Sequence, residues 1–317
     1  MVYSSIEATA SYLPRNIVTN DDLAKFIDTS DSWIKERTGI SQRHVVAPGD
    51  DSATMAIAAA KKLIEDHNID FSEIGMILVA SCTSTKIIPS IACRVQGELG
   101  LVGIPAFDIN AACSGFLYAL ATADSFIKTG FCKKILLIGT DAMSQIVDWE
   151  DRSTCVLFGD GAGAVLISAS STPGILNVNL GADGTSADIL STSGNLISAA
   201  EPPFINMNGK EVYKKAVTNM ASVSKQIIED SGIDINDLDW LIPHQANRRI
   251  IESTAKSLGL PMEKVILTLS HHANTSAASI PLALDDAIRS EKLKRGDNIL
   301  MSAFGAGLTW AGALLTY

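Results

Sequence analysis

The chain has 317 residues, 47% hydrophobic and 19% charged, with a formal net charge of −10. That length is near the point where one core stops growing and a chain divides, and the acidic balance argues against nonspecific nucleic-acid binding. No apolar run reaches the length of a membrane span, no signal-peptide pattern opens the chain, and five cysteines without a C-x-x-C pair suggest neither disulfides nor zinc, so a reducing cytoplasm fits.

In chain order, Asp51-Ser52 can cap a helix over Ala53 to Asp66. Ile74 to Ala80 reads as a short buried strand and Ser90 to Leu99 as a helix. An extended run, Ile104 to Ile109, gives way to Asn110-Ala111-Ala112-Cys113-Ser114-Gly115 and then to the apolar stretch Phe116 to Ile127. That stretch is apolar almost all round, which predicts a helix buried between layers. Cys113 therefore stands at or near a helix N-terminus. Unpaired N–H groups and the positive dipole end there favour a thiolate, the nucleophile that thioester chemistry needs.

Lys134 to Gly139 follows as a strand. Phe158-Gly159-Asp160-Gly161-Ala162-Gly163 looks like a phosphate loop without the Lys-Ser/Thr ending and reads as a tight turn between core strands. Ser171-Thr172-Pro173-Gly174 has turn chemistry and divides residues 1–172 from 173–317. Beyond it, Lys210, Lys214 and Lys215 open a helix, and the strand Leu238 to Ile242 ends in Pro243-His244-Gln245-Ala246-Asn247. A helix from Ala246 to Leu258 carries Arg248, Arg249 and Lys256. His271-His272-Ala273-Asn274-Thr275-Ser276 reads as another strand-to-helix junction, leading into a helix whose Pro281 belongs in its first turns. Phe304-Gly305-Ala306-Gly307 is a turn of small residues that lets backbone N–H groups approach a bound atom.

The two halves repeat. Lys61-Lys62-Leu63-Ile64-Glu65-Asp66 lines up with Lys225-Gln226-Ile227-Ile228-Glu229-Asp230 at an offset of 164 residues, and the same offset sets Asn110 on Asn274 and Ile135-Leu136-Leu137 on Ile299-Leu300-Met301. Several matches at one offset indicate a duplicated scaffold. Each half alternates helix and strand, so two such halves facing each other give a five-layered αβαβα architecture with a pseudo-twofold axis. The repeat brings strand ends of both halves to one mouth, the usual ligand crevice of α/β sheets. A thiol, an imidazole, a carboxamide and a Gly-rich turn gather there on four loops.

These segments resemble the thiolase superfamily, and within it the β-ketoacyl-acyl-carrier-protein synthase III family. The resemblance spans the chain and rests on the order Cys…His…Asn with the motifs A-C-S-G, P-H-Q-A-N and N-T-S-A-A-S, together with Asp31-Ser32-Trp33-Ile34 and Arg37-Thr38-Gly39-Ile40. It implies a decarboxylative Claisen condensation of an acyl-CoA primer, acetyl-CoA foremost, with malonyl-acyl carrier protein, initiating fatty-acid synthesis. Cys113 would carry the acyl group, and His244 and Asn274 would stabilise the oxyanion formed on decarboxylation. Backbone N–H groups of Cys113 and of Gly305, Ala306 and Gly307 would hold the tetrahedral adduct. Trp33, Arg37, Arg152 and Asn247 would bind CoA, and Ile88 would shape the acyl pocket. The resemblance also implies a homodimer that needs no cofactor and no metal.

Gln245, Ala246, Asn247, Arg248, Arg249 and Lys256, with Lys214 nearby, form a locally basic region suited to an acidic carrier protein. His271 and His272 read as supporting or surface groups. The chain departs from the family pattern at Ile88, where an aromatic residue is common, and at Ala273 and Ala306, where glycine is. Two rival readings stand beside the condensing enzyme: a relative with the same chemistry on a specialised primer or acceptor, and a catalytically silent carrier-binding module.

Overall fold

The structure is a computed structural model describing residues 2–194 and 202–317. The first half holds β1 (Tyr3–Tyr12), β2 (Asn16–Thr19), α1 (Asn20–Leu23), α2 (Asp31–Thr38), β3 (Gln42–Val45), α3 (Ser52–His67), β4 (Met76–Ala80), α4 (Ile91–Leu99), β5 (Ala106–Ile109), α5 (Gly115–Lys128), β6 (Lys134–Ala142) and β7 (Asp160–Ser170). The second holds β8 (Ile175–Ala182), β9 (Leu190–Thr192), β10 (Ile205–Met207), α6 (Gly209–Ser231), β11 (Trp240–Pro243), α7 (Arg248–Leu258), α8 (Leu269–His272), α9 (Ser279–Arg289), β12 (Asn298–Gly305) and β13 (Thr309–Thr316).

One sheet has the order β1-β7-β6-β4-β5 and the other β11-β12-β13-β8. The sense of pairing repeats as well. β4 runs parallel to β6, which pairs antiparallel with β7, and β7 antiparallel with β1. β11, β12, β13 and β8 follow the same sequence of parallel, antiparallel and antiparallel. Helices α3 and α4 cover the outer face of the first sheet, α6 that of the second, with α7 packed on α6, and α5 and α9 lie between the sheets. This is the five-layered α/β arrangement expected from the repeat.

Strand alternation explains why both faces of each sheet are covered. Met76, Leu78 and Ala80 of β4 join the core shared with Phe116, Leu120, Ile280 and Leu284, while Ile77 and Val79 pack on the outer side with Ala56, Ala60 and Val95. With side chains pointing alternately to opposite faces, a strand buried on both faces must be apolar throughout. Truncating a side chain of this core, Leu120→Ala in α5 for example, costs about 2–5 kcal/mol.

The duplication extends into the loops. Asn110 Oδ1 accepts from the Ala112 N–H, and Asn274 Oδ1 accepts from the Ser276 N–H. Ala112 and Ser276, again 164 residues apart, both take positive φ, 47° and 51°. A buried carboxylate joins the halves at this level: Asp141 accepts from Ser81, Cys82 and Thr83 of the first half and from the Ala277 N–H of the second.

Three local expectations differ from the structure. Asp160 to Gly163 begins β7 instead of forming a turn. The glycines are there because α9 lies close, and a Cβ at Gly163 would fall 2.6 Å from Pro281 Cβ. His271 and His272 end a one-turn helix, α8, instead of a strand. Helix α7 starts at Arg248, with Asn247 as its cap, so Ala246 precedes it. Pro281 does lie in the first turn of α9, where no N–H is required.

Candidate active site

Two cavities, about 350 Å³ and about 460 Å³, meet at Cys113. The Cys113 loop leaves the end of β5, passes through the strained residue Ala112 and a short 3₁₀ turn, and enters α5. Cys113 is half-buried and lines both cavities. Burial pushes its thiol up to about 12, opposed by a hydrogen bond with the Ser276 hydroxyl. The resting sulfur is therefore a thiol. The expected bias of the helix N-terminus toward thiolate is outweighed by the loss of water around the sulfur.

His244 follows β11 and is 2% exposed. Its N–H donates to the Ser302 carbonyl at 2.8 Å, fixing the backbone, and its Nδ1 lies 2.7 Å from Ser279 Oγ. The same Ser279 oxygen accepts from the Gln245 N–H at 3.4 Å. With the Ser279 hydroxyl donating to Nδ1, the ring proton is on Nε2, the tautomer in which the free nitrogen is a donor. Burial lowers the His244 pKa to about 4, so the ring is a neutral N–H donor at physiological pH.

Asn274 is held by its backbone, which donates to the Leu157 carbonyl and accepts from the Gly159 N–H. Because Oδ1 accepts the Ser276 N–H at 2.9 Å, the amide orientation is fixed and Nδ2 remains for the cavity. Cys113, His244, Asn274 and Phe304 all line the smaller cavity.

The turn after β12 is tied to the Cys113 loop from both sides: Thr309 Oγ1 donates to the Ala111 carbonyl, and Ser114 Oγ donates to the Thr309 carbonyl. Gly305 presses directly on the cysteine backbone, and a Cβ there would lie 2.8 Å from the Cys113 nitrogen. Ala306 and Gly307 line the larger cavity beside Cys113.

Toward the surface the smaller cavity runs between α2 and α7. Trp33, Arg37, Arg152 and Asn247 line it. The Arg37 and Arg152 guanidinium carbons stand 4.8 Å and 4.9 Å from the Trp33 ring centre, cation–π contacts that hold a flat aromatic platform at the mouth. Asn247 spends its amide on structure, capping α7 through Arg249 N and donating to the Arg37 carbonyl.

Several residues named from sequence lie elsewhere or act differently. Gln245 is wholly buried and hydrogen-bonds four backbone groups, those of Pro243, Ile266, Thr268 and Leu269. It shapes the His244 loop and cannot meet a carrier protein. Arg249 lines the cavity mouth and reaches the Glu36 carbonyl, so it is not outside the tunnel. Ile88 is 82% exposed and lines neither cavity; Met143, Ile146, Leu190 and Ile205 supply apolar wall to the larger one. His271 and His272 line neither. Among the described residues, Arg248 pairs with Glu252 and Lys215 with Asp183, while Lys214 and Lys256 are exposed cations without an ion-pair partner. Ser276, Ser279 and Asp141 were not singled out from sequence, although both serines fall in the quoted N-T-S-A-A-S motif.

Comparison with known proteins places relatives around this geometry. Residues 107–184 match the family model 3-oxoacyl-[acyl-carrier-protein (ACP)] synthase III, and residues 228–317 match the model of its C-terminal part. The chain is 53% identical over 317 residues to a β-ketoacyl-[acyl-carrier-protein] synthase III of Coxiella burnetii, covering 99% of both chains. It superposes on the crystal structure of 3-oxoacyl-[acyl-carrier-protein] synthase III from Aquifex aeolicus with a TM-score of 0.94 at 47% identity, covering 99% of this chain and 100% of the other. A priming β-ketosynthase of a polyketide biosynthetic pathway is similar at a TM-score of 0.95 and 35% identity, with 99% and 96% covered.

Proposed function

The chain belongs to the β-ketoacyl-acyl-carrier-protein synthase III family, acyltransferases that carry out the initiating condensation of fatty-acid synthesis, and from that membership and the cavity geometry we propose how its residues perform the reaction. The observation that carries the reading is the convergence of Cys113, His244 and Asn274 on one cavity, with the imidazole and the amide each anchored on the side away from it.

The primer is acetyl-CoA. Its adenine end rests against Trp33 between the guanidinium groups, and its thioester reaches Cys113 through the smaller cavity. The sulfur attacks the thioester carbonyl, the C–S bond to CoA breaks, and the Cys113 proton ends on the departing CoA sulfur. The tetrahedral oxyanion is held by the backbone N–H groups of Cys113 and of the Gly305–Gly307 turn. Malonyl-acyl carrier protein then occupies the same tunnel. Loss of CO₂ leaves an enolate whose oxygen accepts from His244 Nε2 and Asn274 Nδ2, each donor contributing about 3 kcal/mol. Its carbon attacks acyl-Cys113, the C–S bond breaks, and the product is 3-oxoacyl-acyl carrier protein; the released Cys113 sulfur takes one proton from solvent to restore the thiol. Every charge is met by an N–H donor of the chain, so the scheme asks for no cofactor.

The carrier protein docks on the exposed cations Lys214 and Lys256, with Arg248 and Arg249 at the mouth. A second copy of the chain pairs along β5, the edge strand of the first sheet. Ile87, Ile88, Val102, Phe107 and Phe131 are exposed apolar side chains on β5 and the segments near it in sequence, and a partner along the edge strand would cover them. Ile88 can reach an acyl pocket only across that interface. No described helix is long and apolar enough to cross a membrane, and we assign the enzyme to the cytoplasm. Residues 1–172 and 173–317 are the two duplicated halves, the first carrying the nucleophile and the second both oxyanion side chains.

Intact-mass measurement after exposure to acyl-CoAs from acetyl to branched chains tests the scheme. One acyl group should attach, none to Cys113→Ser, and malonyl-acyl carrier protein should discharge it. An acyl group retained by Cys113→Ser would refute the assignment, and faster loading by a longer primer would replace acetyl-CoA.

A further inference from the structure

Three of the five histidines of the chain gather on the far side of the Asn274 loop from the cavities. The His271 and His272 rings are 4.3 Å apart, and the His44 ring is 6.5 Å from His272. Asp286, from α9, joins the pair: one donor atom each from His271, His272 and Asp286 all lie within 4.8 Å of one another. None of the three takes part in the chemistry above.

We infer that His271, His272 and Asp286 form a binding site for a divalent transition-metal ion of the zinc class. The donor set is two imidazoles and one carboxylate, which suits zinc, cobalt or nickel and is poor for calcium or magnesium. His272 is 6% exposed, and its Nδ1 has no hydrogen-bond partner, an unsatisfied buried nitrogen of the kind that a ligand would complete. His44 donates from Nδ1 to the Pro14 carbonyl, so that nitrogen is taken up outside the cluster.

The distances fit after a small contraction. Bonds of about 2.0–2.1 Å to a tetrahedral ion set donors about 3.4 Å apart, an adjustment of roughly an ångström that the side chains of His271 and Asp286, neither of them buried, can make. Three protein ligands leave one position for water. The ion would tie α8 to α9, the two elements that bracket the loop from Asn274 to Ala278. This departs from the sequence-based expectation of no metal ligands, because nothing in the spacing of His271, His272 and Asp286 announces that the third reaches the other two.

Cobalt(II) titration of chelator-treated protein, read by its visible absorption, tests the site directly, with zinc-dependent melting as a second measurement. One equivalent should bind in a spectrum lacking thiolate bands. His271→Ala and Asp286→Asn should each weaken binding by about a hundredfold or more, beyond the 10–100-fold typical of outer partners, and abolish the zinc-induced rise in melting temperature. Cys93→Ser, which removes the exposed thiol, should change neither. Both site variants should keep wild-type condensation rates in chelator. Binding unaffected by His271→Ala and Asp286→Asn, binding lost in Cys93→Ser, or no saturable binding by the wild type would each overturn the assignment.

Discussion

Gly305→Ala isolates the contact between the hairpin turn and the nucleophile. Gly305 does not occupy the positive-φ region, so its backbone accepts alanine and any effect is steric. The new Cβ would stand 2.8 Å from the Cys113 nitrogen, 3.0 Å from the Ser114 nitrogen and 3.1 Å from the Ala111 carbonyl. All three are backbone atoms, held by the Thr309 and Ser114 hydrogen bonds, so they cannot swing aside as a side-chain tip would. Ordinary contact needs several tenths of an ångström more, and that shift must move the Cys113 N–H out of line with the oxyanion. Losing one such donor costs about 10²–10³ in rate; overpacking costs about 1–3 kcal/mol of stability. The assay is the time course of acyl-Cys113 formation from acetyl-CoA by intact mass, with thermal melting in parallel. Acylation at the wild-type rate in a folded variant would show that the Cys113 N–H does not serve the adduct. Ala306→Gly, which adds no atoms, should load acyl groups normally.

His244→Ala and Asn274→Ala should spare acylation and slow decarboxylation of malonyl-acyl carrier protein about a hundredfold or more, with the double variant falling short of the product; loss of acylation alone would reverse their roles. With the His244 pKa lowered by burial to about 4, the decarboxylation rate should stay level from pH 8 to pH 5, and a break near 6.5 would mean that the imidazolium acts. The same depression makes the unfolded chain bind the extra proton first, so His244 and His272 erode stability as pH falls from 6.5 toward 4. Asp160, raised to about 6 by burial, works in the opposite sense between pH 6 and 3.8, and a melting temperature rising through that window would mean that it outweighs the histidines. Alkylation of Cys113 by iodoacetamide should be slow at pH 7 and accelerate through pH 10, since burial holds the thiol near 12; fast labelling at pH 7 would restore the thiolate. Lys256→Glu should raise KM for malonyl-acyl carrier protein and blunt its salt dependence without changing acetyl-CoA kinetics, whereas equal salt sensitivity would leave Lys256 a solvated surface charge.

Layers, sheets and the four converging loops were legible because buried helices and strands carry their period in the sequence and because one offset aligned the halves. What escaped was orientation. Gln245 and Arg249 sit in the same short segment, yet one turns inward to satisfy four backbone groups and the other lines the tunnel mouth. Neighbours in a loop have no shared face to read. Ile88 was placed by resemblance alone, and a single chain leaves it in solvent. The Asp160–Gly163 segment misled because glycines usually punctuate turns; here they let α9 approach a strand that any side chain would push away.

The duplication also explains why the two halves make unlike contributions from like loops. At Asn110 and Asn274 the side-chain oxygen closes the same turn onto the N–H two residues on, which fixes each amide and frees its nitrogen. Three residues after each asparagine stand Cys113 and its counterpart Ala277, and five after stand Gly115 and Ser279 at the starts of α5 and α9. In the first half the third position carries the thiol of Cys113, the nucleophile of the proposed scheme. In the second, that position carries an inert methyl, with the residue's N–H tied to Asp141, and the fifth carries the hydroxyl that anchors His244 Nδ1. One loop geometry thus presents a sulfur from one side and two neutral N–H donors from the other. In the scheme proposed above, the acyl group rides on the first half, while the second supplies the enolate's donors and, through the Gly305–Gly307 turn pressed on the Cys113 backbone, part of the hold on the adduct.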